Sequence, residues 1–292
     1  MAASYLEDCK KIIESDMVAL LGNLSAPDNL KASMVYSVEA GGKRIRPALL
    51  FAVLEACGAS VKRGLSSAQA LELVHTYSLI HDDLPAMDDD SLRRGKPTNH
   101  IVFGEAMAIL AGDGLLTHAF GLIAKDKALD ADTRLELIGA LSLAAGPEGM
   151  VAGQVQDIEA ERSPVDLDQL KEIHKNKTGR LLEFAVHAGS AIAKADEKTA
   201  KALQAYASHL GLAFQIKDDI LDVEGSAGQL GKTPGKDASS NKSTYVSLLG
   251  LKGAKKMLGA ELAAARESLC QADGLDHRRL IEFIEIVGGR IN

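Results

Sequence analysis

The chain has 292 residues, 46% hydrophobic and only 4% aromatic, with a formal net charge of −7. That length and apolar content suffice for one large domain with a substantial core, and the acidic balance excludes a broadly basic nucleic-acid binder, so any cationic patch is local. Three dispersed cysteines, Cys9, Cys57 and Cys270, fit no metal spacing and suit a reducing compartment. No uninterrupted apolar run approaches the roughly 18 residues that span a bilayer, and the first residues do not read as a charged-then-apolar leader. A soluble cytoplasmic protein, with neither membrane nor nucleic-acid partner, is the expectation. Alanine and leucine recur throughout and favour helix, strand-like alternation is scarce, and no Ser/Pro-rich linker divides the chain. The predicted architecture is all-α, a single domain over residues 1–292, with some helices apolar nearly all round and hence central.

In chain order, the first stretch with chemistry is "EAGGKRIRPAL", which sets Lys43 and Arg46, with Arg44 as a third candidate, behind two glycines. Glycine allows a close backbone approach, and cations beside it suit phosphate; an ordinary loop-to-helix turn with solvated charges would look the same. Next comes "LVHTYSLIHDDLPAMDDD", where five aspartates fall between Asp82 and Asp90 inside an apolar run. His75, Ser78 and Asp82 stand at i, i+3 and i+7 and share one helix face. Pro85 cannot donate to the ladder and clashes one turn back, so the helix is predicted to kink or end there. "SLRRGKPTNH" adds Arg93, Arg94 and Lys96 directly afterwards. No proline interrupts Thr98 to Gly146 or Val165 to Thr233, and both stretches carry helical periodicity.

Further along, "HKNKTGRLL" brings Lys177 and Thr178, with Lys177 predicted to open a helix. "AFQIKDDILDV" then places Gln215, Asp218, Asp219 and Asp222 at i, i+3, i+4 and i+7, an acidic stripe among Leu212, Phe214, Ile216, Ile220 and Leu221. An amphipathic surface helix would show one such stripe; two of them, each with adjacent aspartates in an apolar helix, point to a shared cation. The glycine-rich "EGSAGQLGKTPGKD" reads as a loop carrying Lys232 and Lys236, and "SNKSTY" adds Lys242.

Crowded carboxylates cost free energy when buried without a counter-charge. A hard cation meets that need. Mg²⁺ takes oxygen ligands and is commonly bound by one or two carboxylates plus substrate phosphates. Ca²⁺ fits less well because no EF-hand loop spacing is present, and Zn²⁺ less well because no paired His or Cys sits at ligand spacing. Two facing carboxylate walls could hold several Mg²⁺ ions with a diphosphate between them. The scattered Lys and Arg residues would suit a second diphosphate bound without metal.

Taken together, "GGKRIRP", "HDDLPAMD", "LRRGKPTNH", "HKNKTG", "FQIKDDILD" and "LGKTPGKD" resemble the trans-prenyl diphosphate synthases, in order, from about Val38 to Leu248. Within that family the likeness is to the bacterial fifteen-carbon producers. The resemblance implies an all-α fold around a deep central cavity, a homodimer, and three Mg²⁺ ions. It implies that Asp82 and Asp88, with Asp83 in support, and Asp218, with Asp219 and Asp222 ligating or positioning water, hold the metal. Arg93, Lys177, Lys232 and Lys242 would bind an allylic diphosphate, and Lys43, Arg46, His75 and Arg94 isopentenyl diphosphate. Gln215 and Thr178 would place lone pairs beside an allylic cation. The implied reaction condenses isopentenyl diphosphate with dimethylallyl and geranyl diphosphate to farnesyl diphosphate, with geranylgeranyl diphosphate as the alternative product. Chain length in such enzymes is tied to residues just before the first aspartate pair, here Tyr77 and Ser78. Tyr77 lies about 7–8 Å down the helix axis from Asp82, although about 140° around it, against about 40° for Ser78. A diphosphate hydrolase, a terpene cyclase and a non-catalytic synthase subunit are the rival readings. The hydrolase would want more grouped histidines, and the other two would lack one aspartate motif.

Overall fold

A computed structural model describes residues 2–224 and 243–289. These residues are almost wholly helical: α1 (Ala2–Gly22), α2 (Asp28–Glu39), α3 (Ile45–Ala56), a short 3₁₀ turn (Val61–Gly64), α4 (Leu65–Asp82), α5 (Asn99–Phe103), α6 (Glu105–Ala124), α7 (Ala131–Ala145), α8 (Met150–Ala160), α9 (Leu167–His174), α10 (Arg180–Ala193), α11 (Glu197–Glu224), α12 (Tyr245–Cys270) and α13 (Arg278–Gly289). The all-α expectation holds.

The centre is α3. Ten of its twelve residues are buried, from Ile45 through Ala56, so it packs on all sides, against α10, α4, α1 and α13. Its hydrophobic all-round sequence is the signature of a core helix. Around it, α4 lies along α6 and α11 lies along α12, while α10 touches both α4 and α11. The two helices that carry the aspartate stripes are thus held by a common neighbour. Local signals start several helices. Asp130 accepts from the Thr133 N–H at the start of α7, and Asp166 with Gln169 forms a reciprocal cap on α9. Thr244 with Ser247 does the same for α12. That last helix is broken at Gly250, whose φ of +68° a residue with a side chain rarely adopts.

Two features depart from the sequence expectation. No strand was expected around Arg93, yet Leu92–Arg93 (β1) pairs antiparallel with Lys96–Pro97 (β2). Arg94 and Gly95 form the turn with φ of +55° and +76°. Two consecutive positive φ values match the right-handed twist of a tight hairpin. Lys177 does not open a helix either; it sits mid-way in a π turn, Lys175–Gly179, that joins α9 to α10.

The expectation that no stretch could cross a membrane also needs correction. Two stretches, Glu105–Ala124 and the run from Ala131 to Ala160, are long and apolar enough by length and composition. The second is divided into helices of 15 and 11 residues, which leaves α6. Counting only uninterrupted apolar residues missed it, because Asp113, Thr117 and His118 punctuate an otherwise apolar helix. One such helix, packed along α4, is weak evidence for a membrane span. All three cysteines are free, and burial pushes the Cys9 thiol up to about 11.

Candidate active site

The first acidic set is shaped by how α4 stops. The helix ends at Asp82, three residues before Pro85, and the chain folds back on itself. The Asp88 N–H donates to the Asp82 carbonyl at 2.9 Å and the Asp90 N–H to the Asp83 carbonyl at 3.2 Å. The "PA" pair thus supplies the slack that returns Asp88 to the side of Asp82. The two adjacent aspartates then diverge. Asp83 is buried and gripped by Arg93, with Nε at 2.8 and 2.9 Å from its two oxygens and Nη2 at 2.5 Å. Asp82 is half-buried and receives Gln154 Nε2 at 2.5 Å. Burial pushes the Asp82 carboxyl up and Asp88 adds to the rise, while Lys177, Arg93 and Gln154 act in the opposite sense.

Asp82 and Asp88 thus bring carboxylate oxygens together where α4 ends. This oxygen-only donor set fits Mg²⁺. Among the described residues, no group of three or more His, Cys, Asp or Glu side chains is gathered to hold an ion unaided. That is compatible with the habit of Mg²⁺ of taking one or two carboxylates and completing its shell with water and substrate oxygens.

The second set sits on the last turns of α11. Gln215, Asp218 and Asp222 are half-buried on one face. Asp219 is buried, and its Oδ2 accepts the Tyr245 N–H at 2.7 Å. It therefore meets the first turn of α12, where N–H groups are unsatisfied and the helix dipole favours negative charge. The stripe that looked uniform in sequence splits into three side chains on one face and one that ties two helices together.

Cations gather on the near side of α3 and α4. Arg46 Nη1 lies 3.3 Å from His75 Nε2. Guanidinium can only donate, so Nε2 accepts and the imidazole proton sits on Nδ1. Burial, then the charges of Arg46, Arg94, Arg44 and Arg93, hold His75 well below its ordinary range, so it is neutral. Burial, reinforced by Arg44 and Arg93, also draws Arg94 below its usual value despite Glu72 and Glu14. Arg94 packs on Gly42: a Cβ there would lie 2.8 Å from Arg94 Nη1. Guanidinium groups gathered around a neutral imidazole make a setting that suits a phosphate oxygen. Lys43 is exposed at the rim.

Arg44, the third candidate of that run, faces inward instead. It adopts the left-handed conformation before α3, with φ of +47°. Its guanidinium reaches Glu72 at 2.6 Å, Glu14 at 3.0 Å and the Val38 carbonyl at 2.5 Å. It braces α1, α2 and α4, and is not placed to hold phosphate. Arg44→Met is expected to cost about 3–5 kcal/mol by stranding Glu72 as a buried lone charge. A loss below about 1 kcal/mol in urea unfolding, the range of surface substitutions, would contradict it.

Three contributors escaped the sequence reading: Gln154, Asp157 and Asn176. Gln154 binds Asp82, and Asp157 accepts Lys177 Nζ at 2.8 Å. Asn176 donates to Gln156 at 3.2 Å and Glu172 at 3.1 Å. α8 thereby links the first acidic set to the π turn. The signal for the first two was "GQVQD", in which Gln154 and Asp157 stand at i and i+3 after a glycine. That glycine, Gly153, is essential to the contact: a Cβ would lie 2.1 Å from the Lys177 backbone nitrogen. π turns recur at functional sites because they re-aim side chains within a helix; here the residues re-aimed are Lys177 and Thr178, both half-buried. Ser78 bonds back to the His75 carbonyl at 2.9 Å, and Tyr77 is buried in α4. Lys232, Lys236 and Lys242 lie outside the described residues.

The profile of the polyprenyl synthetase family matches residues 27–273. The chain is 52% identical over 288 residues to farnesyl diphosphate synthase of Geobacillus stearothermophilus, covering 98% of this chain and 97% of that one. It is 50% identical over 289 residues to farnesyl diphosphate synthase of Bacillus subtilis (strain 168), covering 98% and 97%. Its structure matches a geranyltransferase from Helicobacter pylori, solved with magnesium and isoprenyl diphosphate, at a TM-score of 0.82 and 33% identity over 98% and 96% of the two chains. The chain belongs to the polyprenyl synthetase family.

Proposed function

We propose that this chain is a prenyltransferase that condenses isopentenyl diphosphate head-to-tail with dimethylallyl and then geranyl diphosphate, giving all-trans farnesyl diphosphate. The observation that carries the reading is geometric: Arg46 stands 3.3 Å from His75 on one side, and at the end of α4 the Asp88 N–H folds back onto the Asp82 carbonyl at 2.9 Å, bringing the two aspartates together. Full-length identity near one half to farnesyl diphosphate synthases supports the fifteen-carbon product. Geranylgeranyl synthases match less closely, as in the 44% identity to that of Cyanophora paradoxa.

In this proposal Asp82 and Asp88, with Asp83 in support, and Asp218, with Asp219 and Asp222, would hold three Mg²⁺ ions, which would supply Lewis-acid stabilisation to the leaving diphosphate. The protein's own groups do the rest. Lys177 and Arg93, with Lys232 and Lys242, hold the allylic diphosphate; Asp157 and Asp83 fix the first two in place. Donors aimed in advance at developing negative charge lower the barrier without reorganising during the reaction. Ionisation of the C–O bond leaves an allylic cation, and Gln215 and Thr178 offer lone pairs to it. Lys43, Arg46, His75 and Arg94 hold isopentenyl diphosphate so that its double bond attacks. Neutral His75 can donate through Nδ1 or be held through Nε2 without adding charge. The proton lost in closing the new double bond goes to the released diphosphate, an oxyanion formed where it is needed.

The homodimer belongs to the same proposal. Ile101 and Val102 on α5, and Ile109 and Leu110 on α6, are exposed apolar side chains on neighbouring helices. A patch of this kind suits a self-complementary contact, and would cover α6 without a bilayer. We place the enzyme in the cytoplasm as part of this reading.

Purified protein given Mg²⁺, geranyl diphosphate and isopentenyl diphosphate should yield farnesyl diphosphate on chromatography. A geranylgeranyl product would favour the alternative, a cyclic hydrocarbon the cyclase, and no turnover the partner subunit. Tyr77, buried one turn and more below Asp82, is read as the floor that stops growth. Tyr77→Ala is expected to shift the main product to twenty carbons or longer. An unchanged fifteen-carbon product would remove Tyr77 from that role.

A further inference from the structure

His81 is not used by the mechanism above, yet its placement is unusually constrained. Its ring enters a notch in α6. Nε2 lies 3.0 Å from the Ile109 carbonyl, which can only accept, so Nε2 carries the proton. The notch exists because residue 112 is glycine. A Cβ at Gly112 would lie 2.1 Å from His81 Nε2, 2.5 Å from Cδ2 and 2.9 Å from Cε1. Such distances leave no room for even a methyl group while the imidazole stays where it is. On its other side the imidazole meets Tyr77, one turn earlier on α4. The ring centroids are 5.7 Å apart and the planes cross at 79°, an edge-to-face contact. Tyr77 is thus packed against a ring that is itself fastened to the neighbouring helix.

We infer that His81, docked in the Gly112 notch, is a positioning residue that holds the Tyr77 ring in place and thereby helps set product length. The inference rests on the reading of Tyr77 as the floor of the chain-length cavity. A tyrosine in a helix has staggered rotamers open to it, and a floor must keep one of them against a growing hydrocarbon. The hydrogen bond to Ile109 fixes His81, and the edge-to-face contact passes that restraint to Tyr77. Removing the imidazole leaves a space beside the ring into which Tyr77 can turn. Adding a methyl group at Gly112 drives the imidazole out of the notch and disturbs the same contact from the opposite helix.

The test is product length, read at low conversion with geranyl diphosphate and excess isopentenyl diphosphate. That ratio does not depend on how far turnover falls from altering a neighbour of Asp82. His81→Ala and Gly112→Ala are each expected to raise the ratio of twenty- to fifteen-carbon product about tenfold, the scale of discrimination by a small change in an apolar pocket. His81→Gln, whose terminal amide can donate to the same carbonyl, should return the ratio toward that of the parent. Tyr77→Ala/His81→Ala should match Tyr77→Ala alone. If Tyr77→Ala lengthens the product while both His81→Ala and Gly112→Ala still stop at fifteen carbons, the inference is overturned and the floor reading stands. If the double variant runs longer than Tyr77→Ala, His81 acts independently of Tyr77, which also overturns it. If Tyr77→Ala itself changes nothing, the floor reading fails first, and the inference with it.

Discussion

Asp82→Asn should lower kcat for condensation about a thousandfold while leaving the protein folded and at least as stable as the parent. The catalytic loss follows from removing a carboxylate from a metal-binding pair: the proposed metal contributes several kcal/mol to the departing charge, and about 4 kcal/mol is a thousandfold. The stability expectation comes from the same site. Burial and Asp88 raise the Asp82 carboxyl, so its charge is a strain on the folded state. Gln154 can still donate to the amide oxygen of an asparagine at that position. Functional sites often keep such costly groups, and neutralising them trades activity for stability. Asp89→Asn is the internal control. Asp89 is exposed with φ of +50°, a conformation that asparagine tolerates, and it should change neither quantity. A stable Asp82→Asn enzyme with near-parental kcat would remove Asp82 from the metal site.

Gly153→Ala is the second large effect, and it acts without touching a charged group. The added Cβ would meet the Lys177 nitrogen at 2.1 Å, the Lys177 Cα at 2.5 Å and the Asn176 carbonyl carbon at 2.7 Å. All three are backbone atoms, so no rotamer change relieves the contact; α8 and the π turn have to separate. Overpacking of this kind costs about 1–3 kcal/mol. The larger consequence is positional. Lys177 would move relative to Asp157 and Asp82, and a misplacement of about 1 Å can cost a hundredfold in rate. The expected result is a roughly hundredfold lower kcat with a raised KM for the allylic substrate. Gly121 and Gly139, which have open space around the Cβ position, supply the contrast. Alanine there should add up to about 1 kcal/mol through helix propensity, with activity intact. An active, stable Gly153→Ala protein would show that the close approach of α8 to the π turn does not matter.

What the sequence revealed and what it hid have physical explanations. Helical class was legible because alanine, leucine and the 3.6-residue periodicity speak locally, and the end of α4 was legible because proline acts on its own neighbourhood. The acidic stripes were legible because like charges four residues apart in an apolar helix demand an external cause. What stayed hidden depended on distant partners. Nothing in "KRIR" shows that Arg44 turns inward, because the reason is Glu72, twenty-eight residues away, and a left-handed backbone before α3. Asp218 and Asp219 look alike until the first turn of α12 arrives beside one of them. Gln154 and Asp157 sit in a helix whose composition is unremarkable; only its contact with Asp82 and Lys177 gives them meaning. The hairpin at Arg93 was missed because two-residue strands leave no periodicity to read, and Arg94-Gly95 is not among the dipeptides that mark a tight hairpin.

The central claim is that this chain transfers a prenyl group and does so through a metal-dependent ionisation. The most direct measurement follows label from isopentenyl diphosphate into a longer allylic product in the presence of geranyl diphosphate, with Mg²⁺, after chelation, and after Mg²⁺ is restored. The account predicts one isopentenyl unit incorporated per geranyl unit consumed, no incorporation after chelation, and full recovery on restoring the metal. Breakdown of geranyl diphosphate at the same rate without isopentenyl diphosphate, with no label in a longer chain, would contradict it.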